Sequence, residues 1–169
     1  DTSEKEKYEF SRNDAGKLNV RYTYSWGDGE NQYKCGITEG SDSYSESAGS
    51  EHVLYGQIYI NGCTTSNACC EHVIGGGIVY IEDDEPVETD FVEVEGKLNS
   101  EFEKGNTEAN INNDEYMTTL KLENAGTYRY KYYFILKDSQ NVTQKVYCVN
   151  NWKSPEESSI SDMGVAVIQ

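Results

Sequence analysis

Apolar and polar side chains alternate with period two along several stretches of this chain. Leu18, Val20, Tyr22, Tyr24 and Trp26 are separated by Asn19, Arg21, Thr23 and Ser25, the pattern of a strand with one buried face. Gly27, Asp28 and Gly29 then break the run as a turn. Further strands are expected over 53–60, 78–83, 90–98, 116–122, 126–136, 144–150 and 163–169, with a short one around Ile37. Gly56 reads as a bulge within its strand. Residues 61–77 read as a cysteine-bearing excursion closed by Gly75, Gly76 and Gly77, and Asp138–Asn141 as hairpin turn chemistry. No stretch carries a convincing helical period. Roughly seven to nine short strands with turn signals between them predict an all-β, antiparallel sandwich. The sandwich is expected over 46–169, with residues 1–45 as an extension that contributes one strand to it or to a neighbouring chain.

Composition narrows the setting. The 30 acidic residues outnumber 14 Lys plus Arg, for a net charge of −16. Such a surface repels nucleic acid and anionic headgroups, which are bound by clustered cations. The 14 tyrosines and only two prolines favour strands, and no apolar run approaches the ~18 residues of a membrane span. Five cysteines, Cys35, Cys63, Cys69, Cys70 and Cys148, fit an oxidising compartment better than the cytosol. The expectation is an extracellular or cell-surface protein, exported and with its signal peptide removed.

The segment Leu120–Phe134, LKLENAGTYRYKYYF, resembles the E-strand, corner and F-strand of immunoglobulin-like domains. That resemblance implies that the Tyr128 hydroxyl ties back to upstream backbone. Where an antibody-type domain carries its F-strand cysteine this chain has Tyr130, so the inter-sheet disulfide of that family is not expected at this position. Four motifs in order, YGQIYINGCT (55–64), NNDEYMTTL (112–120), GTYRYKYYF (126–134) and VYC (146–148), are similar to β-sandwich modules of secreted and surface bacterial proteins. The likeness implies fold and location, and no reaction.

The chain has two histidines, His52 and His72, and none of the nucleophile-elbow, zincin or P-loop patterns, so no enzymatic activity is expected. Cys63, Cys69, Cys70 and His72 carry zinc-type donors but lack a C-x-x-C pair. Disulfides are the favoured use of these cysteines. Adjacent cysteines bond to each other only through a strained ring. Cys69 and Cys70 are therefore expected to reach different partners, one of them Cys63 and the other Cys35 or Cys148, stapling the excursion to the sandwich. Asp83, Asp84, Asn112 and Asp114 lie at two acidic turns and are candidate Ca²⁺ ligands; no other cofactor is expected.

Tyr128, Tyr130 and Tyr132 share one face of their strand, a face expected to be core; the alternative is a platform for carbohydrate, with Trp26 and Trp152 as further candidates. Asn141-Val142-Thr143 is an N-glycosylation pattern in an exposed turn. Tyr8, Phe10, Leu18, Val20, Tyr22 and Tyr24 are the apolar positions of a candidate assembly strand. A strand added to a neighbour's sheet gains a ladder of backbone hydrogen bonds, and head-to-tail addition propagates into a homopolymer. The leading expectation is a structural subunit of a fibre, pilus-like or coat assembly. A secreted carbohydrate- or Ca²⁺-binding adhesive module is the alternative, and an appendage of a secreted enzyme a third reading.

Overall fold

The computed structural model describes residues 33–38, 41–65, 70–83, 91–102, 104–105, 112–138, 140–148 and 162–169. They form the strands β1 (Tyr33–Ile37), β2 (Ser43–Glu46), β3 (Glu51–Ile60), β4 (Val73–Glu82), β5 (Val92–Glu95), β6 (Lys97–Leu98), β7 (Asp114–Lys121), β8 (Gly126–Lys137), β9 (Thr143–Cys148) and β10 (Gly164–Ile168). Two sheets pack together. One runs β1-β3-β7-β6; the other runs β2-β10-β8-β4-β5, with β9 also on β8. Every described pairing is antiparallel except β2 with β10. The protein is an all-β sandwich, and among the described residues no helix is long and apolar enough to cross a membrane.

Strand β8 organises the larger sheet because every second residue from Tyr128 to Leu136 is a large apolar group. Tyr128, Tyr130, Tyr132, Phe134 and Leu136 face inward and are buried. They meet Leu54, Ile58, Tyr116 and Leu120 of the other sheet within one hydrophobic cluster. One edge of β8 is taken by β4; the other is shared end to end, with Tyr130 opposite Gly164 of β10 and Tyr132 opposite Cys148 of β9. A buried hydroxyl needs a partner, and each of these finds one. Tyr130 donates to the Ser41 carbonyl at 2.6 Å, and Tyr132 donates to the Tyr116 carbonyl at 2.9 Å while meeting Thr118 Oγ1 at 2.8 Å.

Several expectations change against this frame. Gly56 is no bulge, because its pairing register with both neighbours is unbroken. It is a notch: a Cβ there would sit 2.4 Å from Cγ of Tyr132, so the ring lies directly on the backbone. The irregularity falls instead between Val73 and Gly75. Gly75, Gly76 and Gly77 belong to β4 rather than closing an excursion. The alternating run 90–98 contributes to both sheets, since β5 pairs with β4 and β6 with β7. Strands β1 and β2 lie in or overlap the stretch read as an extension, yet both are hydrogen-bonded into the sandwich. The folded body therefore reaches back at least to Tyr33. The expected strand over 18–26, together with Tyr8 and Phe10, lies outside the described residues.

Candidate functional site

The two flanks of the sandwich carry its most distinctive chemistry. On one flank, β1 and β9 are edge strands of opposite sheets, and inward-facing Cys35 and Cys148 join them in a disulfide with Cα atoms 5.5 Å apart. An inter-sheet disulfide is therefore present, but between edge strands and away from the Tyr130 position. Cys63 bonds to Cys70, closing a small loop with a sequence separation of 7. The expected staple from the excursion to Cys35 or Cys148 is not formed, because those two cysteines face each other across the sheets and satisfy each other. Cys69 lies outside the described residues. With Cys63 and Cys70 oxidised, the proposed zinc donors have lost two thiolates. His72 Nδ1 instead lies 2.9 Å from the Lys137 carbonyl.

The described candidate Ca²⁺ ligands, Asp83, Asn112 and Asp114, take separate protein partners. Asp83 follows β4 and pairs with Arg129 of β8 at 3.0 Å. Asp114 begins β7 and faces the interior, where Oδ2 accepts the Cys70 amide at 2.9 Å. The Asn112 carbonyl accepts from Thr64 Oγ1 at 2.6 Å, and Asp84 lies outside the described residues. Among the described residues no three His, Cys, Asp or Glu side chains are placed to hold a metal ion. Asp114 is nonetheless unusual. It is 1% exposed, and its Oδ1 has no hydrogen-bond partner among the described residues. Burial raises its pKa, only partly offset by the bond from Cys70. Its role is to anchor the disulfide loop against β7.

The tyrosine platform is core. Tyr128, Tyr130 and Tyr132 are 6%, 0% and 0% exposed, so their faces are not open to a sugar ring; Trp26 and Trp152 lie outside the described residues. Tyr128 does make the bond its corner position implies, donating to the Asn124 carbonyl at 3.1 Å. The Asn141-Val142-Thr143 pattern sits on the exposed turn between β8 and β9, with Asn141 at φ 64°. Asn tolerates that left-handed conformation better than most residues.

The alternation of β8 sets Arg129, Lys131, Tyr133 and Ile135 on the outer face of the larger sheet, but the cross-strand cluster built there was not foreseen. Tyr133 is 1% exposed although it points away from the sandwich core. Its ring lies across Gly77, where a Cβ would stand 2.8 Å from the phenol oxygen. Lys145 of β9 covers the other side of that ring at 4.4 Å and forms an ion pair with Glu93 of β5 at 2.5 Å. The bond from Lys145 is the main reason the Glu93 pKa is lowered, with a further contribution from the Tyr133 hydroxyl. Lys131 stands over Phe91 and Tyr147 at 4.7 and 4.6 Å. These cation–π contacts brace β9, β8 and β5 from outside. The signal was available in the alternation of β8, which sets Lys131 and Tyr133 on the face opposite the core.

The other flank is closed by the main chain itself. At Gly96 the chain passes from β5 to β6, and the Gly96 amide donates to the Gly76 carbonyl at 2.8 Å. A Cβ on Gly96 would lie 2.4 Å from Thr118 Oγ1 and 2.9 Å from the Met117 carbonyl. The chain matches no family model, and no curated protein matches it in sequence.

Proposed function

We propose that the protein is a non-enzymatic structural subunit of an extracellular or cell-surface assembly, with copies associating by β-strand addition. The observation that carries this reading is the disulfide-braced two-sheet body with unshared strand edges. Two disulfides suit an oxidising environment, and edge strands offer the backbone groups that strand addition uses. The alternating N-terminal segment supplies a strand to donate. An immunoglobulin-like origin for the sandwich draws support from the Tyr128 corner bond.

The carbohydrate alternative loses its leading candidates, because the tyrosines assigned to it fill the core. Sedimentation and negative-stain imaging across a concentration series test the proposal. The full chain is expected to form polymers that dissociate on dilution, and a chain lacking residues 1–26 to remain monomeric with an unchanged circular dichroism spectrum. Equal association by both chains overturns the reading.

A further inference from the structure

The sandwich offers its edges unequally. In an antiparallel ladder, residues alternate between directing both backbone groups at the partner and directing both away. The Asp138 amide donates to the Val142 carbonyl, and the Asp83 amide to the Thr127 carbonyl. With the pairing registers of β8, these bonds fix the parity of β9. Gln144, Val146 and Cys148 face β8; Thr143, Lys145 and Tyr147 present their N–H and C=O groups outward. No described strand receives them.

Other edges are shorter or closed. The same parity on β1, fixed by the Thr38 amide donating to the Tyr55 carbonyl, directs the backbone groups of Tyr33, Cys35 and Ile37 away from β3, but Cys35 and Ile37 are only 3% and 4% exposed. On β5 the outward residues are Glu93 and Glu95, but that strand has 4 residues against the 6 of β9. On β2 they are Ser43 and Ser45. Strand β9, by contrast, is accessible: Thr143 is exposed and Tyr147 is 39% exposed. It is also rigid. Cys148 is tied to β1 by the disulfide, Lys145 is tied to β5 by its ion pair with Glu93, and the Asp138 turn holds the other end.

We propose that the outward edge of β9 receives the alternating segment 18–26 of a second copy as an added strand. The inference rests on the subunit reading above and names its acceptor. Residues 1–26 carry five of the 14 basic residues and five of the 30 acidic ones, so the net charge of −16 resides in the rest of the chain. The segment therefore adds no net charge to be repelled by the acidic body of another copy. Its period-two pattern matches the pleat of β9, so an apolar row of Leu18, Val20, Tyr22, Tyr24 and Trp26 would lie on one face of the extended sheet.

Amide hydrogen exchange on the full chain, dilute and assembled, reads the acceptor directly. Amides of Thr143, Lys145 and Tyr147 are expected to slow by about tenfold or more on assembly, whereas Gln144 and Val146 are protected in both states. Lys145→Pro removes an outward amide without touching the ladder to β8, as edge proline allows, and is expected to abolish assembly; Lys145→Gln keeps the amide and should retain it. Should Lys145→Pro fail to fold, Tyr22→Pro tests the donor segment itself and should equally prevent assembly. Protection of the β9 amides at every dilution means that the segment docks on its own chain, and assembly that survives Tyr22→Pro means another strand is added; either overturns the inference. Polymers whose β9 amides stay fast refute this acceptor while leaving the subunit reading standing, and absence of polymers at any concentration refutes both.

Discussion

The two flanks of the sandwich solve one problem by different means. Both must hold edge strands of opposite sheets together. On the β5–β6 flank the main chain crosses at Gly96 and does so irreversibly. On the β1–β9 flank the link is the Cys35–Cys148 sulfur bridge, which a reductant can open. The comparison teaches that one side of this molecule is fixed by topology and the other by its redox environment. The β1–β9 flank is also where the longest described edge lies open.

Breaking the bridge should have the largest effect. A sequence separation of 113 makes Cys35–Cys148 worth about 5 kcal/mol in the chain-entropy model, against about 2.5 kcal/mol for Cys63–Cys70 with a separation of 7. Urea denaturation of the Cys35→Ser/Cys148→Ser and Cys63→Ser/Cys70→Ser variants should show the first loss to be roughly double the second. Equal losses would mean that the flank is held by packing alone.

The opposite flank is tested by Gly96→Ala. The new methyl collides with Thr118 Oγ1 and with two main-chain carbonyls, which have little room to move. A loss of about 3 kcal/mol in the same assay is expected, and it should be as large under reducing as under oxidising conditions.

Asp114 sharpens the comparison through pH. Its folded-state pKa is raised by burial, so the stability it contributes is fully present below the unfolded value and is lost as pH rises through the folded one. The stability of Asp114→Asn relative to the native chain should therefore climb as pH rises above the ordinary carboxylate range. A pH-independent difference would deny the carboxyl its burden. The smallest expected effect is Tyr128→Phe, which removes the hydroxyl bond to Asn124 and should cost about 1 kcal/mol on thermal or urea unfolding.

Much of the fold is legible in the sequence because alternation reports which way side chains face. It located the strands of the larger sheet at β8, β9 and β10, and the inward set Tyr128, Tyr130 and Tyr132 on β8. Alternation does not report which strand lies alongside. The run 90–98 keeps its period through Gly96 although its hydrogen-bonding partner changes from β4 to β7. Glycine misled for a related reason. Gly76 and Gly77 look like loop residues, but they are strand positions emptied of side chains so that Tyr116, Phe134 and Tyr133 can lie on them. Strand β2, with sequence SYSE, escaped notice because it is a short edge strand whose serines are exposed. The cysteine pairing was beyond reach for want of the facing geometry of β1 and β9. Of the candidate metal residues, Asp83, Asn112 and Asp114 take protein partners instead, and acidic turns are too common in so acidic a chain to single out a site.

The phenols packed along β8 carry one last consequence. Burial pushes the pKa values of Tyr130, Tyr132 and Tyr133 well above that of a free phenol, so in alkali they hold their protons until the sandwich opens and then release them together. Base-induced unfolding should accordingly be abrupt, and the ultraviolet absorbance of phenolate gives the molecule a built-in optical gauge of its own integrity.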